Sequence, residues 1–436
     1  MILAAVIALL VLALMGAPLF AILLGAAALG FYTQQTELAV LHIDIYQLTN
    51  SVVLMALPLF TFAGFLLSEA RTADRMVRLS QAIFGWMPGG MAFVALVACA
   101  FFTALTGGSG VTIVALGALL FPALVKAGYP QRFSLGLVTS SGSLGLLLVP
   151  SVPLLIYGII AQQLSQQLAM PPVEIVDLYL AGIGPAVLMV ALLYGYCLWA
   201  TRGGAALGAN AAPPRQAFSG REVLAALWEA RWELPLPLLV MGGIFSGFLV
   251  VSEAAAVTAL YVLIAEVFLY REIPLRRLPG ITREAMVMVG GILLILAVAQ
   301  AFADYLVYAD VPGSLFAFIQ THVQSKVAFL ILLNLLLLVL GAFLDIFAAL
   351  VIMVPLILPV ALRYGIDPVH LGIIFVANMQ IGYITPPVGM NLFIASYRFR
   401  KSITELFAAT IPFMLVLIVA LLVITYVPSL SLWLVR

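Results

Sequence analysis

The sequence predicts an all-α polytopic membrane protein built as an inverted repeat, with two re-entrant hairpins and two discontinuous helices. Three observations carry that prediction. The 436-residue chain is 65% hydrophobic and only 8% charged, whereas soluble domains carry about 25% charged residues. Two long stretches resemble one another, and each is an apolar segment interrupted by proline. Sixteen of the nineteen lysines and arginines fall in loops that a count of crossings puts on one side of the bilayer.

The stretches run from Pro122 to Gly158 and from Pro359 to Ala395. Pro122 pairs with Pro359, Lys126 with Arg363 and Gly128 with Gly365. After one dropped residue, Gly136 pairs with Gly372, Pro150 with Pro386 and Val152 with Val388. Proline removes a backbone donor and clashes with the preceding turn, so a helix must unwind there. Unwound backbone at membrane depth is tolerated only where protein buries it or where it lines a polar cavity. Matching breaks in two half-chains point to a carrier's binding site.

Composition also excludes. A net charge of +1 with no basic face argues against nucleic acid. Cys99 and Cys197 lie in apolar runs, and His42, His322 and His370 are scattered, so neither a disulfide framework nor a metal spacing is present. The first residues lack a charged leader and a cleavage site, which predicts a retained first span.

In order, residues 3–31 form a first span, long enough for a core that needs about 20 apolar residues. A second span covers 48–68, followed by a basic loop at 71–90 with Arg71, Arg75 and Arg78. Apolar arms at 91–105 and 111–125 flank Thr106-Gly107-Gly108-Ser109-Gly110 and predict a re-entrant hairpin. The broken span 135–160 and a span at 178–200 come next. Residues 201–233 predict a linker and then an interfacial helix around WEARWE. The run 234–270 divides into two spans near Gly247 and Ser252-Glu253, where Glu253 suits a helix cap. A basic loop at 271–283, a span at 285–303 and a loop bearing Asp304 and Asp310 follow. A second hairpin occupies 326–362 with its tip at Gly341–Asp345, then come the broken span 371–396 and a last span at 406–430.

With hairpins counting zero, the Lys/Arg-rich loops fall on one side, which marks it cytoplasmic. The N-terminus is then cytoplasmic and the C-terminus periplasmic. Five crossings separate the hairpins, so they enter from opposite faces. That inversion is the architecture of alternating-access carriers.

At the tips and breaks, backbone carbonyls and amides lose their helical partners. Half-helix C-termini suit small cations and half-helix N-termini suit anions. The first copy offers Ser109 and carbonyls near Gly107 and Val149. The second offers carbonyls near Gly341, the Asp345 carboxylate, and Thr385 beside Pro386. Two symmetric sodium sites are expected. Asp345 in an apolar hairpin reads as functional or as the cap of the returning arm, and the two are compatible. Ser143, Asn378, Gln380 and Asn391 suit either substrate contact or helix packing.

The segments SGSLGLLLVPSVPLLIYG, GIDPVH and TPPVGMNLF, with GGIFSGFLVVSEAAAVTALY, resemble the large membrane subunit of tripartite ATP-independent periplasmic (TRAP) transporters over nearly the whole chain. The resemblance implies a sodium-coupled carrier in a bacterial inner membrane, with Na⁺ as coupling ion and no other cofactor. It implies a small four-span membrane subunit and a periplasmic binding protein that delivers a small organic anion. Its elevator architecture implies N-terminal scaffold spans (1–90), a first transport-domain repeat (91–175), scaffold and connecting spans (176–325), a second repeat (326–400) and a C-terminal span (401–436). Carried over, the sodium sites fall on Gly107, Ser109, Val149 and Pro150, and on Gly341, Asp345, Thr385 and Pro386. Substrate contacts fall on Ser109, Ser143, Ser151, Asn378, Gln380 and Asn391. The first tip is poorer in serine than the family's, and Val149 stands where Pro-Pro-Ser is usual.

Rival readings are a carrier that works without a binding protein and a purely structural scaffold. A third is an intramembrane serine protease, since Gly107-Gly108-Ser109-Gly110 fits GxSG. That chemistry needs a histidine beside Ser109, and His370 is its one candidate.

Overall fold

A computed structural model describes residues 7–9, 11–12, 15–35, 39, 41–43, 46, 52–168, 172–202 and 217–435. Among them every regular element is helical, and nine helical segments are long and apolar enough to cross a membrane by length and composition. Residues 203–216 of the predicted linker segment lie outside the described residues.

The expected first span at 3–31 is not one helix. Residues 7–9 and 11–12 are helical, the chain turns at Met15-Gly16, and α1 (Leu19–Thr33) begins after Pro18. Gly16 has φ +82°, a left-handed conformation that only glycine adopts at no steric cost. Leu9 lies against Gly25, so the stretch doubles back on itself. α1, 15 residues long, is apolar but shorter than the nine candidate spans.

α2 (Ala56–Glu69) follows a 3₁₀ turn at Val52–Met55. The expected basic loop at 71–90 is mostly a helix, α3 (Thr72–Phe84), which buries Ala73, Arg75, Met76, Val77 and Leu79. Its arginines are matched by distant carboxylates that a local charge count does not see. α4 (Gly90–Thr106) and α5 (Ser109–Lys126) form the first hairpin. The first interrupted helix comprises α6 (Gln131–Ser141), a 3₁₀ turn at Leu144–Leu147 and α7 (Val152–Leu168).

α8 (Ile175–Arg202) leads to α9 (Gly220–Glu229), α10 (Pro235–Phe245) and α11 (Val251–Leu263), which continues as a π-helical turn at Ile264–Leu269. The split within 234–270 falls at Ser246–Val250, and Glu253 Oε2 accepts from Val250 N at 3.1 Å. α12 (Leu278–Tyr308) starts earlier than expected, because Pro279 sits in its first turn, where no intrahelical donor is needed. It absorbs Arg283 and Asp304 from the predicted loops. α13 (Val311–His322) has no counterpart in the sequence reading.

The second hairpin is α14 (Lys326–Phe343) with α15 (Ile346–Arg363). The second interrupted helix is α16 (Pro368–Gly382) with α17 (Met390–Phe399). α18 (Ile403–Tyr426) and a short α19 (Ser429–Leu432) follow. Side-chain caps set several starts: Ser325 accepts from Ala328 N, Asp367 from Val369 N and His370 N, and Ser402 from Glu405 N.

Two packing groups share one core, meeting where α2 packs on α4 and α12 packs on α15. α2 packs on α11 and α12, and α12 packs on α1. The hairpins and interrupted helices pack with α8 and α18. Within this second group the contacts are reciprocal. α5 packs on α17, and α15 packs on α7, so each hairpin's second arm rests on the other unit's second half-helix.

Candidate functional site

At the first tip, α4 stops because Gly107 takes φ +70°, and Gly108 is extended before α5 begins. The Thr103 hydroxyl lies 2.7 Å from that of Thr112 and 2.9 Å from the Gly142 carbonyl oxygen, tying both arms to the first break. A Cβ on Gly145 would meet Ala100 O at 2.1 Å, so only glycine admits this approach. Gly107 sits beside Val152, the first residue of α7. Val149 and Pro150 are buried in the break, and Val149-Pro150 is cis, as is Pro386-Pro387 in the second break.

At the second tip, α14 runs through Gly341 and Ala342, so these belong to its last turn and not to a loop. Carbonyls of a last turn have no intrahelical donor, and one of them, Ala342 O, accepts from Gly389 N at 2.9 Å. Gly341 packs backbone to backbone on Gly382, where a Cβ would come 2.5 Å from Gly341 Cα. Asp345 caps α15: its Oδ2 accepts from Phe347 N at 3.0 Å. Its Oδ1 accepts from the Tyr383 hydroxyl at 3.0 Å, and that hydroxyl accepts from Ile346 N at 2.8 Å. Tyr383 thus links the second break to the second tip, a residue that sequence reasoning missed although it lies inside the GYITPP break.

The units also meet each other. Ser109 Oγ donates to Asn391 Oδ1 at 2.9 Å, joining the first tip to the start of α17. Ser143 Oγ donates to Gln380 O at 3.3 Å, joining the first break to the end of α16.

Other expected side chains are committed elsewhere. Thr385 Oγ1 turns back to Ile381 O at 2.9 Å. Ser151 Oγ donates to Leu146 O and accepts from Leu154 N at 3.2 Å, so it starts α7. Asn378 donates to Asn334 Oδ1 and to Ile374 O, both at 2.8 Å, and Gln380 Nε2 points at Met189 Sδ of α8. The breaks differ in cover: Val149, Pro150 and Ser151 are buried, whereas Pro386, Pro387 and Val388 are exposed.

Five buried polar atoms of the interrupted helices have no protein partner: Thr139 Oγ1, Ser140 Oγ, Asn378 Oδ1, Gln380 Oε1 and Asn391 Nδ2. Leaving such an atom unpaired costs about 1–3 kcal/mol, so each of these atoms is available to a polar ligand. Among the described residues no group of three or more His, Cys, Asp or Glu could hold a metal ion. A sodium site of carbonyl and hydroxyl oxygens needs none. Protease geometry is missing, because Ser109 is bonded to Asn391, while the His370 ring nitrogens lie 3.3 Å from Ser431 Oγ and Thr425 O.

Hairpins whose tips meet interrupted helices in a polytopic bundle are an architecture of membrane transporters. The chain belongs to the family of the DctM component of tripartite ATP-independent periplasmic transporters, whose model matches residues 6–430. It is 34% identical over 432 residues to the C4-dicarboxylate TRAP transporter large permease protein DctM of Rhodobacter capsulatus, covering 97% of this chain and 96% of that one. It is 33% identical to the isethionate TRAP transporter permease protein DctMQ of Oleidesulfovibrio alaskensis, covering 96% of this chain but only 64% of that protein's length. An ectoine/5-hydroxyectoine large permease from Ruegeria pomeroyi is 28% identical over 428 residues, 97% of this chain and 96% of that one. Among solved structures, the Alcanivorax borkumensis YdaH transporter matches with TM-score 0.63 at 18% identity, covering 90% of this chain and 87% of that chain, a likeness of fold.

Proposed function

We propose that this chain is the sodium-coupled large permease subunit of a TRAP transporter that imports a small organic acid across a bacterial inner membrane. The orphaned polar atoms gathered at the two interrupted helices carry this reading. Relatives named for C4-dicarboxylates and isethionate favour a small anion. A periplasmic binding protein delivers it, and a small four-span membrane subunit completes the permease.

Sodium binds at two places. Near the first tip the oxygens come from Gly107, Ser109 and the Val149-Pro150 segment. Near the second they come from the last turn of α14 at Gly341, from Asp345, and from the Thr385-Pro386 segment. The substrate lies between them, against Ser109, Asn391 and Ser143, and sodium offsets its charge. The reciprocal packing of α5 on α17 and α15 on α7 supports a two-fold relation between the units, and the odd number of crossings counted between the hairpins makes that relation an inversion.

The moving body consists of both hairpins and both interrupted helices. α8, expected among the scaffold and connecting spans, is assigned to it instead, because it packs on α16 and α18 rather than on α2 or α11. α1, α2, α11 and α12 stay fixed, and the C-terminus faces the periplasm. Reconstituted uptake tests the reading: an inward sodium gradient and the binding protein should both be required, and uptake indifferent to either would refute it.

A further inference from the structure

Arg75 takes no part in the proposed site, yet it engages three carboxylates and an aromatic ring. Its side chain is 5% exposed, and Glu233 and Glu266 are fully buried beside it. Its guanidinium reaches Glu233 Oε1 at 2.5 Å, Glu272 Oε1 at 2.6 Å and Glu266 Oε2 at 3.4 Å, and its Cζ sits 3.9 Å over the Tyr270 ring. Burial works against the charge, but hydrogen bonds to Glu233 and Glu272 outweigh it and hold the arginine pKa above its ordinary value. One side chain of α3 thereby gathers the segment just before α10, the π-helical end of α11 and the turn before α12. One turn on, Arg78 pairs with Glu222 and Glu229 of α9.

The opposite end of α3 is built differently. Phe84 packs edge-on against Phe93 of α4 at 5.0 Å. The connection at 85–89 contains Gly89 with φ +65°, and its Pro88 carbonyl accepts from Tyr194 of α8 at 2.7 Å. α3 thus packs along α4 and α5 of the hairpin that carries Gly107 and Ser109, while its ion pairs bind it to α9 and to the α10–α12 side.

The geometry points to Arg75 as a positioning residue that locks α3 to the fixed body, so that movement of the first hairpin flexes at residues 85–89 and not at α3 itself. This rests on the two-body reading of the proposed function. A planar guanidinium serves three carboxylates at once, whereas a lysine ammonium is a compact point charge.

The test uses the assembled transporter in nanodiscs, with and without sodium. Spin-label pairs are placed at exposed Asp74 and Arg276 and at Arg276 and Lys126; the two native cysteines are buried. The 74–276 distance should hold constant while 276–126 changes. If both change together, α3 moves with the hairpin and the inference is overturned. If 276–126 never changes, the two-body reading falls and takes the inference with it. Arg75→Lys should broaden the 74–276 distribution and lower kcat for uptake roughly tenfold or more, the effect of a small misplacement, with KM unchanged. A Lys variant with native distances and native kcat would overturn the role of Arg75.

Discussion

Ser109 and Asn391, 282 residues apart, share a 2.9 Å hydrogen bond that joins the first hairpin tip to the second interrupted helix. The bond uses the Asn391 Oδ1 and leaves its buried Nδ2 donor without a protein partner. A carboxylate placed there would satisfy the donor.

Asn391→Ala should therefore lower kcat/KM for uptake about tenfold to a hundredfold, the consequence of losing a bond and stranding Ser109 at roughly 1–3 kcal/mol. Asn391→Asp, which sets a like charge against the substrate, should abolish uptake. Transport assays in proteoliposomes check both, and native kinetics in Asn391→Asp would remove Asn391 from the substrate site.

Asp345 has two roles that substitution can separate. It caps α15 through Phe347 N, and under the proposed function it also ligates sodium. Asp345→Asn keeps an acceptor for the cap but removes the charge. The half-saturating sodium concentration should rise about ten- to hundredfold in this variant, as expected for a charged interaction of roughly 1.5–3 kcal/mol. Unchanged sodium activation would leave only the cap.

The backbone contact between Gly341 and Gly382 admits no side chain. Gly382→Ala should destabilise the purified protein by about 1–3 kcal/mol through overpacking. Thermal unfolding in detergent reads the loss, and a native midpoint would mean the tip and break are looser than they look.

Much of this was legible in the sequence, for a physical reason. Proline and glycine interrupt helices through local sterics, so the breaks near Pro150 and Pro386 and the tip at Gly107-Gly108 announce themselves in any apolar run. Asp345 stood out because a lone carboxylate among leucines and isoleucines is conspicuous. What was hidden depends on long-range partners. Tyr383 reads as one more aromatic residue until the fold sets its hydroxyl on Asp345. Ser151 and Thr385 have the chemistry of ligands, but local backbone groups take their hydroxyls. α3 reads as a basic loop in the sequence, because the carboxylates that neutralise Arg75 lie between 158 and 197 residues away.

The two arginines of α3 should differ sharply in stability effect. Arg75→Ala strands buried carboxylates and should cost about 3–5 kcal/mol. Arg78→Ala removes pairs whose partners are roughly half exposed and should cost about 0–1 kcal/mol. Denaturant titration of the two purified variants compares them directly, and equal losses would contradict the buried hub.

Equilibrium binding of sodium to the purified permease, with Asp345→Asn alongside, tests the central claim most directly. Two saturable sodium ions in the native protein, with one bound about ten- to hundredfold more weakly in the variant, is the predicted result. No saturable sodium binding in either protein would contradict the claim that the paired tips and breaks are cation sites.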